Sequence, residues 1–403
     1  MFPLFLLIAT IEACLVTVQP SIGHDISDCL KGLIPCQTIS YPLKASSCDL
    51  YLREDSYFEP NITIARNVTI EADRNMIMYQ SNFLIIGGDN VKLSRLTMVN
   101  CTQSCIYVNI SLTLHIKELT VLNTTNSVPA ALCYHTYNGS GSVSIEKSRF
   151  ENNGNRRSCG ILFFMSWFDD DFNVTIKYST FINNTGDGGG AIAHWGIKGV
   201  LNVWDSVFIG NTAQQAGGAI DISGLNSGST FRNLLFINNS APLGGAIMEE
   251  FSNVLYDNVT FEGNSGKHGG AIGLRASIST FQNVNFRFNN ASKEGGAIYI
   301  FNGNVYLDQI TMFGNEAPNG SGIYCVGASL VLTDTNISDT LVCNNCGLCG
   351  STVAIPIVTA SSSDNDLASK IGWLVFVFIV AIGLSVLAYF VTIKRCKQPY
   401  EKL

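Results

Sequence analysis

Asp221, Glu250 and Arg275 are the side chains best placed for chemistry in this 403-residue sequence, because each follows a copy of the same tetrapeptide: GGAID, GGAIMEE and GGAIGLR. If the copies stack as neighbouring strands ~4.8 Å apart, one copy and two residues separate Asp221 from Glu250 by roughly 8 Å. That is the spacing at which an inverting glycosidase holds an acid and a base around a water, and Arg275 falls beside the pair. The acidic run Asp169, Asp170 and Asp171 lies between strand patterns and reads as a solvated loop.

The same positions support a second use, contact without catalysis. Counting outward from the isoleucine of each GGAI gives Trp195, Asp221, Ser223, Met248, Glu250, Arg275, Tyr299, Phe301 and Tyr324. Stacking sets Tyr299 beside Tyr324 and Glu250 beside Arg275, a strip of aromatics and charge suited to a protein or glycan ligand. Ordinary cross-strand pairing is the plainer account of any one of these residues. His194 and Glu249 occupy otherwise apolar positions. A buried carboxylate without a partner is costly, and two copies place the pair about 9.6 Å apart, so local deformation is expected there rather than a site.

What must position these residues is a repeat. GGAI starts at Gly189, Gly217, Gly244, Gly269 and Gly295, with GSGI at Gly320, spaced by 28, 27, 25, 26 and 25 residues. FxxN precedes each copy, from Phe181–Asn184 to Phe286–Asn289, with Met312–Asn315 as the last. Short period-two strands at this spacing leave no room for crossover helices, so the chain must coil directly into a parallel β-helix. Like residues then stack in ladders, the Asn as an amide ladder, with Gly supplying corners closed to residues with a Cβ. LSRLTMVN, IKELTVLN and IEKSRFENN repeat the inward pattern upstream. Phe-type slots at Met98, Val121, Phe150, Phe181, Phe208, Phe236, Phe261, Phe286 and Met312 predict a stack of about 43 Å.

The ends and the composition locate the chain. Hydrophobic residues make up 46% and charged residues 14%, which excludes simple disorder, and a net charge of −7 without a basic patch argues against nucleic acid. Residues 1–23 read as a signal peptide, with cleavage near Ala13 or Gly23. Residues 371–393 are free of charge, and at 1.5 Å per residue they span about 35 Å, a transmembrane helix followed by Lys394, Arg395 and Lys397. The predicted order is an N-terminal cap over 24–58, repeats over 59–325, a Cys-rich cap over 326–350, a Ser-rich stalk over 351–370, the membrane helix and a cytoplasmic tail over 394–403. The fold class is all-β, a parallel β-helix ectodomain with one C-terminal helix, in a type I plasma-membrane protein.

Asn-x-Ser/Thr acceptors fit an outside location: Asn61, Asn67, Asn100, Asn109, Asn123, Asn138, Asn173, Asn183, Asn238, Asn258, Asn290, Asn319 and Asn336. Eleven cysteines lie between Cys29 and Cys349. Cleavage after Ala13 would keep Cys14 and make twelve, while cleavage nearer Gly23 would leave one thiol free or pairing between chains. The run Cys343, Cys346, Cys349 has metal-like spacing, but disulfides are the expected use outside the cell, so no metal and no cofactor is expected. In the tail, Cys396 is a lipidation candidate, and Tyr400 to Leu403 resembles a sorting signal read by a cytosolic adaptor.

GGAI with FxxN in fixed phase resembles the repeats of the polymorphic outer membrane proteins, bacterial surface adhesins and autotransporters. The resemblance covers about residues 145–325. It implies the right-handed β-helix of the pectin-lyase-like superfamily and a role in adhesion or surface recognition. A C-terminal β-barrel would be expected from it, where this chain carries a single apolar helix. CLKGLIPCQTISYPL resembles the PC-x-T lead-in of eukaryotic surface proteins with such repeats. The superfamily also holds polysaccharide lyases and hydrolases, the alternative function, although the Asp-Asp strand pair and Gly-His-Gly familiar from hydrolases are missing here.

Overall fold

A computed structural model describes residues 14–349 except 55, 74–75, 126–129, 137–139, 155–159, 167–171, 197–198 and 345, together with the strand Ile357–Thr359. All strand pairing within it is parallel, and strands inside each ladder pair with the strand one coil earlier and the strand one coil later. Three faces result, wound as a parallel β-helix.

The isoleucine face carries Ile192, Ile220, Ile247, Ile272, Ile298 and Ile323 in direct register. A second, longer face aligns Ile176, Val203, Phe231, Tyr256, Phe281 and Leu307. The phenylalanine face aligns the nine expected slots from Met98 to Met312. It also extends past them, with Tyr57 and Met78 below and Ile337 above. These side chains bury because period two turns every second residue of each strand inward, and stacking covers it with its own kind. Successive rings from Phe150 to Phe286 lie 4.7 to 5.0 Å apart and nearly parallel, a separation equal to the rung spacing.

The glycine pair is explained by two close approaches. The first glycine has φ between +58° and +70° in the five GGAI copies. The second lies against its counterpart one coil on, so a Cβ on Gly245 would stand 2.0 Å from the carbonyl oxygen of Gly270. Where no further glycine follows, the constraint lapses: Ser321 takes that place in GSGI and bonds Thr340 instead.

The amide ladder runs Asn153, Asn184, Asn211, Asn239, Asn264, Asn289, Asn315 and ends on Asp339. Each Nδ2 donates to the next Oδ1 and to the carbonyl of a phenylalanine-face residue one coil back, as Asn239 does to Asn264 at 3.0 Å and Phe208 at 3.0 Å. Each Oδ1 also accepts the backbone N–H of the Asn below it. A fourth, shorter ladder, not expected from sequence, joins the segments between FxxN and GGAI, with Thr185–Gly188 paired to Thr212–Ala216 and Ser265–His268 to Asn290–Glu294.

Both ends differ from the expected layout. Leu15–Val18 already pairs with Asp49–Leu52, and Cys14 is bonded to Cys48, so the fold begins just past Ala13, the earlier of the two expected cleavage points. The expected caps at 24–58 and 326–350 are partly continuations of the ladders. The short helices Ser27–Leu30 and Ser40–Ala45 interrupt the first coil, and Arg66 ties the second to the stack through the carbonyls of Leu43 and Cys48. Ser329–Thr333 and Leu341–Asn344 add rungs above Cys325, and Ile357–Thr359, inside the expected stalk, pairs with the second of them. Disulfides Cys29–Cys36 and Cys101–Cys105 lie low in the stack, and Cys325–Cys346 crosses its upper end. Cys133 and Cys343 are free thiols.

Among the described residues no helix is long and apolar enough to cross a membrane. Residues 371–393, the tail with Cys396, Tyr400 and Leu403, the signal residues before Cys14, and Asp169 to Asp171 all lie outside the described residues.

Candidate functional site

Two outward rows run up the isoleucine face. In one, Ala193, Asp221, Met248, Gly273, Tyr299 and Tyr324 are in register; in the other, Trp195, Ser223, Glu250, Arg275, Phe301 and Val326 are. Asp221 and Glu250 thus stand one rung and two residues apart, as their sequence positions require. Arg275 is directly across from Glu250, and its Nη1 lies 2.8 Å from Oε1. The ion pair is partly exposed, so its own contribution to stability is on the order of 0 to 1 kcal/mol.

Asp221 is only partly exposed, and its carboxyl is enclosed. A Cβ on Gly188 would come 2.6 Å from its Oδ2, and Trp195 Nε1 donates a long hydrogen bond to it at 3.4 Å. Burial, then the nearby charge of Glu250, pushes its pKa up to about 8, with Trp195 and Arg275 opposing the rise. Asp187 adds to it and is itself held by Gln215, whose Nε2 donates at 2.8 Å. At neutral pH Asp221 is therefore held mostly as the carboxylic acid.

Higher on the face, Tyr299 and Tyr324 stack with centroids 5.9 Å apart and planes 4° from parallel. His268 meets the edge of Tyr299 and pairs with Glu294 at 2.8 Å, while Asn344 donates to the Tyr324 hydroxyl. Trp195, Glu250, Arg275, Tyr299, Phe301 and Tyr324 all retain partial exposure on this one face. The binding candidates read from sequence are brought together in one strip.

The two polar residues of the inward row do not deform the strand. Glu249 and His194 both point into the core and are fully buried. Glu249 accepts from Tyr256 Oη at 2.8 Å and from Ser279 Oγ at 2.9 Å, yet burial still raises its pKa to about 7. His194 packs near Phe172 and Phe164, and among the described residues neither ring nitrogen has a hydrogen-bond partner. Burial lowers its pKa to about 4, so it is neutral.

One pairing escaped sequence reasoning. Cys133 Sγ lies 3.3 Å from His135 Nε2, two residues apart on the outer side of the same face. The alternation in LCYHT was the available signal. Both residues are buried, Cys133 packs with Tyr107, Phe163 and Met165, and burial pushes its thiol up. The dyad has the components of a nucleophile and base but is closed to a substrate and holds the thiol protonated. Among the described residues no group of three or more His, Cys, Asp or Glu side chains could hold a metal. Of the metal-spaced run, Cys346 is used in the bond to Cys325.

No curated protein sequence matches the chain. Among solved structures, tailspike protein 3 of bacteriophage CBA120 is similar over 79% of this chain and 59% of its own, at 14% identity and a TM-score of 0.39, so this chain spans less than two thirds of the tailspike. Residues 205–223 match the Chlamydia polymorphic membrane protein repeat. They contain Phe208 to Asn211 and Gly217 to Ile220, the paired motifs of one coil. That coil of this chain, from Asp205 to Ser223, is thus similar to the repeat of those proteins.

Proposed function

We propose that this chain is a non-catalytic cell-surface recognition protein. The β-helix would display the isoleucine-face strip to a protein or glycan outside the cell. The observation that carries this reading is the strip itself: Trp195, the Glu250–Arg275 pair and the Tyr299–Tyr324 stack are partly exposed side by side on rigid parallel strands. Aromatic and arginine side chains dominate binding energy where they cluster on a preformed surface. The similarity of residues 205–223 to a surface-protein repeat is consistent with it. In this reading the helix winds right-handed, as nearly all parallel crossovers do. Residues 371–393 anchor it, and the tail meets a sorting adaptor through Tyr400 and Leu403 and is lipidated at Cys396. The Cys14–Cys48 bond favours signal cleavage after Ala13 over cleavage near Gly23.

The test is the full chain in detergent, probed against arrays of glycans and cell-surface proteins. A ligand should be captured, and Arg275→Ala or Tyr299→Ala should weaken capture at least about tenfold, a hot-spot loss of 1.4 kcal/mol or more. Capture that is indifferent to both substitutions would refute the strip as the binding surface.

A second reading, a glycoside hydrolase, is favoured by one observation: Asp221, with its pKa raised to about 8, is poised as a general acid beside Glu250. It predicts sugar cleavage that is lost in Asp221→Ala and in Glu250→Gln. Asp221→Asn is the wrong probe in a glycosylating host, because it creates the sequon Asn-Ile-Ser with Ser223. Absence of turnover on acidic and neutral polysaccharides by the intact protein removes this reading.

A further inference from the structure

The sequons are not spread evenly around the coil. Of the 13, Asn138 lies outside the described residues, and the other twelve asparagines are all exposed. Asn100, Asn123, Asn183 and Asn238 occupy one corner at the end of the phenylalanine face, with φ between +52° and +54°; the last two immediately precede the amide ladder, and the first two precede Cys101 and Thr124 in the same column below it. Asn258 sits at the corner between the long and phenylalanine faces at φ +53°. A left-handed corner suits asparagine, which visits that conformation more readily than most residues with a Cβ.

The rung above two of these asparagines leaves room for what they carry. Asn183 leans over Gly210 and Asn238 over Gly263, so that a Cβ at either glycine would lie 2.5 Å or 2.4 Å from the asparagine Oδ1. A side chain at 210 or 263 would crowd the amide, and glycine removes it. By contrast, the isoleucine-face strands from Leu132–Thr136 to Leu341–Asn344 contain no sequon, although they hold the outward aromatics and charges. The sequon nearest in register to that strip is Asn319, which bridges to Glu294 on the fourth ladder.

We infer that N-linked glycans coat this molecule along the left-handed corners, the other two faces and the fourth ladder, where Asn290 and Asn319 stand, and leave the strip from Trp195 to Tyr299 bare. This rests on the extracellular reading above and adds to it which surface remains for a partner. In the transfer, the asparagine Nδ2 attacks the anomeric carbon of a lipid-diphosphate-linked oligosaccharide. The C–N bond forms, the C–O bond to the diphosphate breaks, one amide proton is lost, and the lipid diphosphate leaves. The donor and its transferase belong to the secretory pathway of the host cell.

The experiment expresses the full chain in a glycosylating secretory cell, releases N-glycans enzymatically in heavy-oxygen water and maps the resulting Asn-to-Asp conversions by mass spectrometry. Hydroxyl-radical footprinting before and after release reads exposure. Label is expected at Asn100, Asn123, Asn183 and Asn238. Release should raise oxidation of Tyr178, an exposed corner residue between Asn173 and Asn183, several-fold, and leave Trp195 and Tyr299 unchanged. Equal gains at Tyr178 and Tyr299 would overturn the bare strip. So would unlabelled corner asparagines in a protein whose Cys14–Cys48 and Cys325–Cys346 bonds have formed. Unlabelled asparagines together with reduced cysteines would instead sink the extracellular reading, which separates the two failures.

Discussion

Glu249 shows how a coil accommodates a carboxyl that it cannot turn outward. The strand alternation forces it inward, and Tyr256 and Ser279, one on its own coil and one on the next, supply the donors. Because its folded pKa stands near 7 against an ordinary 4.5, the folded state binds more protons than the unfolded state between those values. Stability contributed by this group is therefore greatest below about 4.5 and falls as pH rises toward 7, by about 3 kcal/mol in all. His194 acts in the opposite sense, since its pKa lies below its unfolded value and its share of stability is lost as pH falls from about 6.5 to about 4. Denaturant titrations of wild type and Glu249→Gln at several pH values separate the two. The difference between the proteins should grow from near zero at pH 4 to its full size above pH 7, with the variant the more stable. A constant difference would show that Glu249 does not titrate in the core. Sequence could flag Glu249 as an anomaly in an apolar row, but Tyr256 and Ser279 are visible as its partners only once the coil closes.

The single coil is the element on which the repeat acts. Phe, Asn, Gly-Gly and Ile each answer one geometric demand: a ring that stacks, an amide that donates and accepts along the axis, two corners without a Cβ, and a branched side chain facing inward. Gly245→Ala drives a methyl into the carbonyl of Gly270 and should cost about 4 kcal/mol or more, the range of severe core mutations. Ser321→Ala, at the equivalent place in the last copy, keeps its backbone N–H bond to Thr340 and should lose only the hydroxyl's contacts with the Thr340 hydroxyl and backbone N–H, about 1 to 2 kcal/mol. Asn239→Ala takes the acceptor from the backbone N–H and the Nδ2 of Asn211 and removes a donor from the carbonyl of Phe208. At about 1 to 3 kcal/mol for each buried group, a loss on the order of 3 kcal/mol should appear as a lower denaturant midpoint. These coils were legible because their residues recur in phase. The serine ladder through Ser148, Ser179 and Ser206 was not, since Leu234 and Val259 take the slot in later coils and break the pattern. The fourth ladder went unseen for the same reason, because its residues vary in kind and pair mostly through backbone.

At the scale of the whole molecule, a stack in which each coil meets only its neighbours depends on how its ends are closed. Cys14→Ser frees the first strand from Cys48, 34 residues away. By loop-closure reasoning it should cost about 4 kcal/mol, with proteolysis starting among residues 14–23 rather than in the middle coils. Cleavage starting in a central coil would show that the bond does not secure that end. The extent of the stack was only partly readable, because neither end strand carries GGAI or FxxN. Leu15–Val18 looks like the continuation of an apolar leader, and Ile357–Thr359 is a short apolar stretch in a Ser-rich segment.

The buried amides also have a direction. From Asn153 onward every Nδ2 donates toward the C-terminal end, so the individual dipoles add and neighbouring bonds polarise one another. The column has a positive pole, and the residue standing on it is an acid, Asp339, which takes hydrogen bonds from both the backbone and the side chain of Asn315. Its carboxyl does for this row of side chains what an acidic residue does at the amino end of an α-helix. Any coil grafted into the protein must therefore enter below Asp339, where it lengthens the column without separating the acid from its pole.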